Sequence, residues 1–147
     1  MKAKDIMTAD PCLCSPQDSL RDVAQKMRDH DCGSVPVVEH GHVVGIVTDR
    51  DLTIRALADG LSPDTKVEDV ITRDICCCTP DDDVRAVERV MADQQVRRVP
   101  VVDASGCCVG IVSQADLARA ALSGGRVSEH EVALTVERIS EPSSSLR

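Results

Sequence analysis

Apolar positions along this chain follow two alternating periods. Leu20, Val23, Ala24 and Met27 recur at helical spacing, and Val84, Val87 and Met91 repeat the stripe. Ser15-Pro16 and Thr79-Pro80 precede the stripes as helix entries, with proline near the first turn and Asp18 favourable to the positive helix end. Two apolar, β-branched runs follow each stripe. Val35 to Glu39 and Val43 to Val47 flank the turn His40-Gly41-His42, while Val99 to Asp103 and Val109 to Val112 flank Ala104-Ser105-Gly106. Each pair reads as a hairpin that runs into a second helix, Asp49 to Ala58 and Gln114 to Leu122. With a short strand-like stretch at Cys12-Leu13-Cys14, the order in each half is strand, helix, strand, strand, helix.

The halves also repeat in detail. Thr8, Cys12-x-Cys14-Ser15-Pro16, Asp18 and Val35-Pro36-Val37-Val38 recur 64 residues later as Thr72, Cys76-x-Cys78-Thr79-Pro80, Asp82 and Val99-Pro100-Val101-Val102. One extra residue in a turn shifts the offset to 65, where Gly45-Ile46-Val47-Thr48-x-x-Asp51 matches Gly110-Ile111-Val112-Ser113-x-x-Asp116. A tandem copy of one unit predicts two halves that bury a common core and form pseudo-symmetric clefts. The fold class is α/β (α+β), with two β-α-β-β-α repeats at 1–60 and 66–122, a linker at 61–65 and a tail at 123–147. Residues 2–7 form a short helical lead-in. In the tail, Ser128 and Glu131 form a capping box for a helix over 128–140, with Val132, Val136 and Ile139 on one face. That face is expected to lie on the module or on a second copy. Ser123-Gly124-Gly125 closes the second repeat, and Pro142 to Arg147 is expected to be disordered.

The chain has 147 residues, enough for one compact core, and a net charge of −8 that disfavours a nucleic-acid partner. No run of about 18 apolar residues marks a membrane span, and Met1 to Asp10 lacks the basic-then-apolar form of a secretory leader. A cytoplasmic protein without a membrane partner is expected. With no Phe, Tyr or Trp, the core must be aliphatic and sulfur-containing, and no ring is available to stack on a base.

Chemistry concentrates where each second hairpin strand meets its helix. In Thr48-Asp49-Arg50-Asp51 and Ser113-Gln114-Ala115-Asp116 a hydroxyl opens a helix and an acid follows three residues later. This is the pattern of a helix cap, which by itself stabilises the helix by about 1 kcal/mol and needs no ligand. The same geometry aims free amides and the positive helix end at an anion, while the acid one turn on can accept two vicinal ribose hydroxyls. Both readings can hold together. Arg97-Arg98 stands where the first repeat has Gly33-Ser34, so the two sites are chemically unequal. Those arginines, and Arg50 at the other site, suit phosphate; the alternative for Arg97 and Arg98 is a solvated edge or an ion pair.

The starts Asp5-Ile6-Met7-Thr8 and Asp69-Val70-Ile71-Thr72, the Val-Pro-Val-Val strands, and the strand-to-helix joints together resemble a tandem pair of cystathionine-β-synthase (CBS) domains, the Bateman module, over residues 4–57 and 66–121. The resemblance implies repeats packed through their sheets and a regulatory module. Adenosine-containing ligands would sit in clefts between the repeats, with AMP, ADP or ATP ahead of NAD or S-adenosylmethionine. It also implies a homodimer that signals to an unknown downstream protein. Carried over by position, Asp51 and Asp116 hold ribose, Thr48 and Ser113 ribose or phosphate, and Thr8 and Thr72 line the adenine or phosphate side.

Competing readings are a ligand-independent protein-interaction scaffold and a thiol- or metal-responsive module. The chain has eight cysteines. Zinc sites generally want Cys-x-x-Cys pairs on turns, whereas alternate strand residues point the same way; in the fold that the resemblance implies, Cys12, Cys14, Cys76 and Cys78 suit small buried residues, and Cys77 or Cys107 are candidates for exposed thiols that oxidise or ligate metal. His40 and His42 read as solvated turn residues, His30 as a residue bordering a cleft and His130 as exposed. No metal site is expected. No phosphate-binding loop with lysine, nucleophile elbow or His-Glu-x-x-His motif occurs, so no enzyme activity is expected either.

Overall fold

A computed structural model describes residues 1–124 and 127–142. The contacts divide the chain into two compact units, one comprising 1–9, 76–104 and 109–147, the other 10–75 and 105–108.

The second of these carries the first sequence repeat. Ser19 caps α2 (Leu20–His30) by accepting a hydrogen bond from the Asp22 amide, and Leu20, Val23 and Met27 are buried against the sheet. Ala24, expected in that stripe, is exposed, because the buried arc is narrower than the run of apolar letters. Strands β2 (Ser34–Glu39) and β3 (His42–Thr48) pair antiparallel with a bulge at Val37/Val38. The stretch expected as a strand at Cys12-Leu13-Cys14 makes a single parallel bridge, Cys14 to Val37. Pro11 and Pro16 bracket it, and proline lacks the N–H that a longer ladder needs. The helix expected over Asp49 to Ala58 starts as α3 (Asp49–Asp51) and continues as a π-helix, Leu52–Leu57.

The first unit holds α1 (Ala3–Ile6), β1 (Thr8–Ala9), α4 (Val84–Gln94), β4 (Arg98–Val102), β5 (Cys108–Ser113), α5 (Gln114–Leu122) and α6 (Glu129–Ile139). Its sheet runs β1-β5-β4. Ser128 caps α6, whose buried Val132, Thr135 and Ile139 lie against α4 and α5. The terminal helix therefore packs on its own module. The tail expected to be disordered lies from residue 143 onward outside the described residues, as does Gly125.

Sequence repeats and packed units partition the chain differently. The Ala3 amide donates to Asp82 O and the Val84 amide to Met1 O, while β1 pairs with β5 at Thr8–Ile111. In the other unit the same arrangement recurs with the roles of the repeats exchanged. The Leu20 amide donates to Thr65 O, the Val67 amide to Asp18 O, and Thr72 bridges Ile46. Each repeat is thus completed by the lead-in segment of the other.

One polar residue interrupts the buried face of α4. Glu88 is 6% exposed, between Val84 and Met91, and its Oε1 has no hydrogen-bond partner among the described residues. Burial holds this carboxyl above the usual range, the neighbouring Glu131 carboxylate adds to the effect, and Arg85 opposes it. A folded-state pKa above the unfolded one means that stability falls as pH rises through the interval between them. Glu88→Gln is accordingly expected to stabilise the fold at pH 7 by about 1 kcal/mol, raising Tm by roughly 3 °C. Melts of both proteins between about pH 4 and 8 check this, since the gap must widen with pH; a constant gap would contradict it.

Candidate functional site

The joint in each unit is built by backbone geometry. β3 ends at Thr48, whose extended conformation turns the chain into α3. The Asp51 amide donates to Thr48 Oγ1 at 3.2 Å, and Asp51 Oδ2 accepts from the Thr48 amide at 2.9 Å and from its hydroxyl at 3.0 Å. Ser113 and Asp116 reproduce this at the start of α5, with distances of 3.2, 2.8 and 2.9 Å. The capping box is therefore real in both copies.

What each cap leaves open matters more for function. Oδ2 of each acid is saturated by two donors, so the free capacity lies on Oδ1. Arg119, whose side chain is 71% exposed, donates to Asp116 Oδ1 at 2.7 Å, whereas Arg55 Nε lies 3.7 Å from Asp51 Oδ1. The arginines are largely solvated but the acids are not, so a ligand hydroxyl at Asp116 Oδ1 must replace a charge-assisted hydrogen bond of about 1.5–3 kcal/mol, whereas at Asp51 Oδ1 it meets only the longer pair. These arginines were not among the residues picked out from the sequence, although their spacing of three and four residues from the acids was a readable signal.

The two helix starts differ in their amides. In α3 the Asp49 amide donates to Gly33 O at 3.0 Å, the Arg50 amide to Asp49 Oδ1 at 2.9 Å, and the Asp51 amide to Thr48. The free amides expected there are all taken, and the Asp49 carboxylate adds negative charge where an anion would approach. In α5 the Gln114 amide donates to Arg97 O at 2.9 Å, and the Asp116 amide is taken by Ser113. The Ala115 amide makes no hydrogen bond among the described residues. Gln114, which also escaped sequence reasoning, has a buried Oε1 without a partner among the described residues.

The remaining site residues divide between the units. Thr72 exchanges backbone hydrogen bonds with Ile46, both at 3.0 Å, two residues before Thr48. Thr8 pairs with Ile111, two residues before Ser113. One unit therefore assembles Thr48, Arg50, Asp51 and Thr72; the other assembles Thr8, Arg97, Arg98, Ser113 and Asp116. Arg50 and Arg97 are exposed, and Arg98 is half-buried on β4.

None of the eight cysteines forms a disulfide. Cys14 and Cys78 are buried, and burial pushes both up to about 12. Cys12 is half-buried and Cys76 exposed, against the expectation that both are buried, because each precedes the single bridging residue and has no sheet neighbour to cover it. Cys77 and Cys107 are exposed, as expected. Among the described residues no group of three or more His, Cys, Asp or Glu is placed to hold a metal ion. His40 has a positive φ beside Gly41 in an exposed turn, and His30, His42 and His130 are also exposed. Among the described residues no helix is long and apolar enough to cross a membrane.

Comparison with known proteins identifies the family of this fold. The CBS domain family model matches residues 3–57 and again 67–123. Hypoxic response protein 1 of Mycobacterium tuberculosis is 36% identical over 142 residues, covering 95% of this chain and 94% of its own. A crystal structure of Hypoxic Response Protein I, with two coordinated zinc ions, superposes with a TM-score of 0.74, covering 81% of this chain and 98% of that one. The CBS domain pair of MJ0100, solved with 5′-methylthioadenosine and S-adenosyl-L-methionine, has a TM-score of 0.76 at 31% identity, covering 84% of this chain and 100% of its own. CBSX2 in complex with AMP has a TM-score of 0.70 at 26% identity, covering 83% of this chain and 96% of its own. The duplicated joints, the mixed α+β architecture and both family matches agree, and this chain belongs to the CBS domain family as a tandem pair.

Proposed function

We propose that this protein is a regulatory sensor, not an enzyme, that binds adenosine-containing ligands at its two hydroxyl-to-acid joints. It passes the bound state to a protein partner, working as a cytoplasmic homodimer. The observation that carries the reading is the duplicated acid with one saturated oxygen and one oxygen held only by a largely solvated arginine. Vicinal ribose hydroxyls are the natural donors for that second oxygen. The complexes of MJ0100 with methylthioadenosine and S-adenosylmethionine, and of CBSX2 with AMP, support the ligand class. A ligand shifts such a module only by its different affinity for two arrangements, so the phosphate end is the part that reports nucleotide state.

The two joints favour different members of the class. The α5 start offers the Ala115 amide, the helix dipole and Arg97, with no acid at its first position, and suits AMP, ADP or ATP. Asp49 and the spent amides of α3 suit a weakly charged adenosine such as methylthioadenosine, with Arg50 left as the local cation. The orphan Gln114 Oε1 gains a partner from a ligand N–H.

Calorimetric titration with AMP, ADP, ATP, NAD and S-adenosylmethionine tests the reading, and absence of binding across the panel would leave a protein-interaction scaffold. Arg97→Ala is expected to weaken ATP binding about tenfold at one site and to leave adenosine binding unchanged, as a charge-assisted phosphate contact predicts. Equal losses for both ligands would contradict the phosphate role.

A further inference from the structure

Between α4 and α6 lies a groove of about 620 Å³ whose walls include Arg85, Glu88, Arg89, Ala92, Leu134 and Arg138. This volume falls in the usual range of small-molecule sites, about 300–1,000 Å³. Glu88 also borders an adjoining hollow of about 240 Å³ that reaches Met1 and Val127. All of these residues belong to one unit, and none is part of the nucleotide joints.

Two ion pairs and one helix cap border the groove. Arg85 Nε lies 3.8 Å from Glu131 Oε2, Arg138 donates to Asp93 at 2.9 Å, and Asp83 Oδ1 accepts from the Arg85 amide at 2.8 Å. Two charges remain. Glu88, 6% exposed, has an oxygen without a hydrogen-bond partner, and Arg89 makes no ion pair among the described residues. A buried carboxyl oxygen without a donor is costly and rare, so a donor supplied from the groove would be favourable there. Beside these charges lie Ala92 and the side chain of Leu134, a residue 46% exposed in spite of its size.

We propose that the α4–α6 groove is a binding site for a small zwitterion, an α-amino acid with an aliphatic side chain. Its ammonium donates to Glu88, its carboxylate pairs bidentately with the Arg89 guanidinium, and its side chain covers Leu134 and Ala92. An amine alone leaves Arg89 unmatched. A carboxylate alone leaves Glu88 unsatisfied and meets repulsion from Glu131. A bound amino acid bridges α4 and the terminal helix, so it is expected to hold α6 down.

The test is an NMR titration of the full chain with L-valine, L-leucine and L-methionine, reading backbone amides of 85–92 and 131–138. At least one amino acid is expected to give saturable shifts confined to these helices. Isopentylamine and 4-methylpentanoate, the two halves of leucine, are expected to give none. Glu88→Gln is expected to abolish the shifts while melting no lower than the wild type, and Arg89→Ala to weaken binding about tenfold or more, as loss of a bidentate pair requires. No saturable shift with any of the three amino acids would overturn the proposal, as would equal binding of isopentylamine or unchanged binding by Glu88→Gln. Shifts that vanish in nucleotide-site variants instead would assign the effect to the joints and also overturn it.

Discussion

Gly45→Val is expected to destabilise the protein by about 3 kcal/mol, the upper part of the range for overpacking a tight interior. A Cβ at Gly45 would lie 2.7 Å from Thr72 O and 2.9 Å from Ile71 Cδ1, and the first of these is backbone that cannot swing aside. The strand would have to part from the Ile46–Thr72 ladder, which holds Thr72 beside the first joint. Function should therefore fail locally as well, with ligand affinity lost at the Thr48–Asp51 joint before the fold melts. Gly110 is the counterpart, where an added Cβ meets mainly the flexible Met7 side chain, with Thr8 O at 3.1 Å. Urea denaturation of Gly45→Ala and Gly110→Ala should rank the first as the more damaging. The reverse order would show that the close approach at Thr72 is not what demands glycine.

The second large effect concerns the acids. Asp51→Asn and Asp116→Asn preserve an oxygen that accepts from the cap hydroxyl and amide, so each should cost less than about 1 kcal/mol of stability. Each replaces Oδ1, the oxygen proposed to face the ligand, with an amide donor, which cannot accept ribose hydroxyls. Losing two hydrogen bonds to a charged acceptor, about 1.5–3 kcal/mol each, predicts a fall in affinity of at least about a hundredfold at the altered site. Each single variant should lose one of two binding events in calorimetry, and the double variant should lose both. Full-strength binding by the double variant would remove the acids from the site.

Much of this arrangement is legible in the residues themselves. The stripe Leu20, Val23, Met27, the two hairpins, both capping boxes and the Ser128 cap follow from local spacing, and local hydrogen bonds made them. The exchange of lead-in segments is not legible, because Thr8–Ile111 and Thr72–Ile46 are pairings across long stretches of chain that leave no periodic trace. Cys76 reads as a buried strand residue only if a strand exists, and the backbone there makes one bridge, at Cys78. The asymmetry of the joints was partly readable: Arg97-Arg98 against Gly33-Ser34 announced it, but the spending of the Arg50 amide on Asp49 requires coordinates. Glu88 was readable in principle, since it falls four residues after Val84 and three before Met91, on the apolar stripe itself.

The most direct test of the central claim uses unaltered protein. Titration with AMP and with 2′,3′-dideoxy-AMP isolates the contribution of the vicinal hydroxyls while keeping base and phosphate. The account predicts binding of AMP and at least about a hundredfold weaker binding of the dideoxy analogue, the loss of two charge-assisted hydrogen bonds to the Asp116 carboxylate. Equal affinity for the two nucleotides would contradict it.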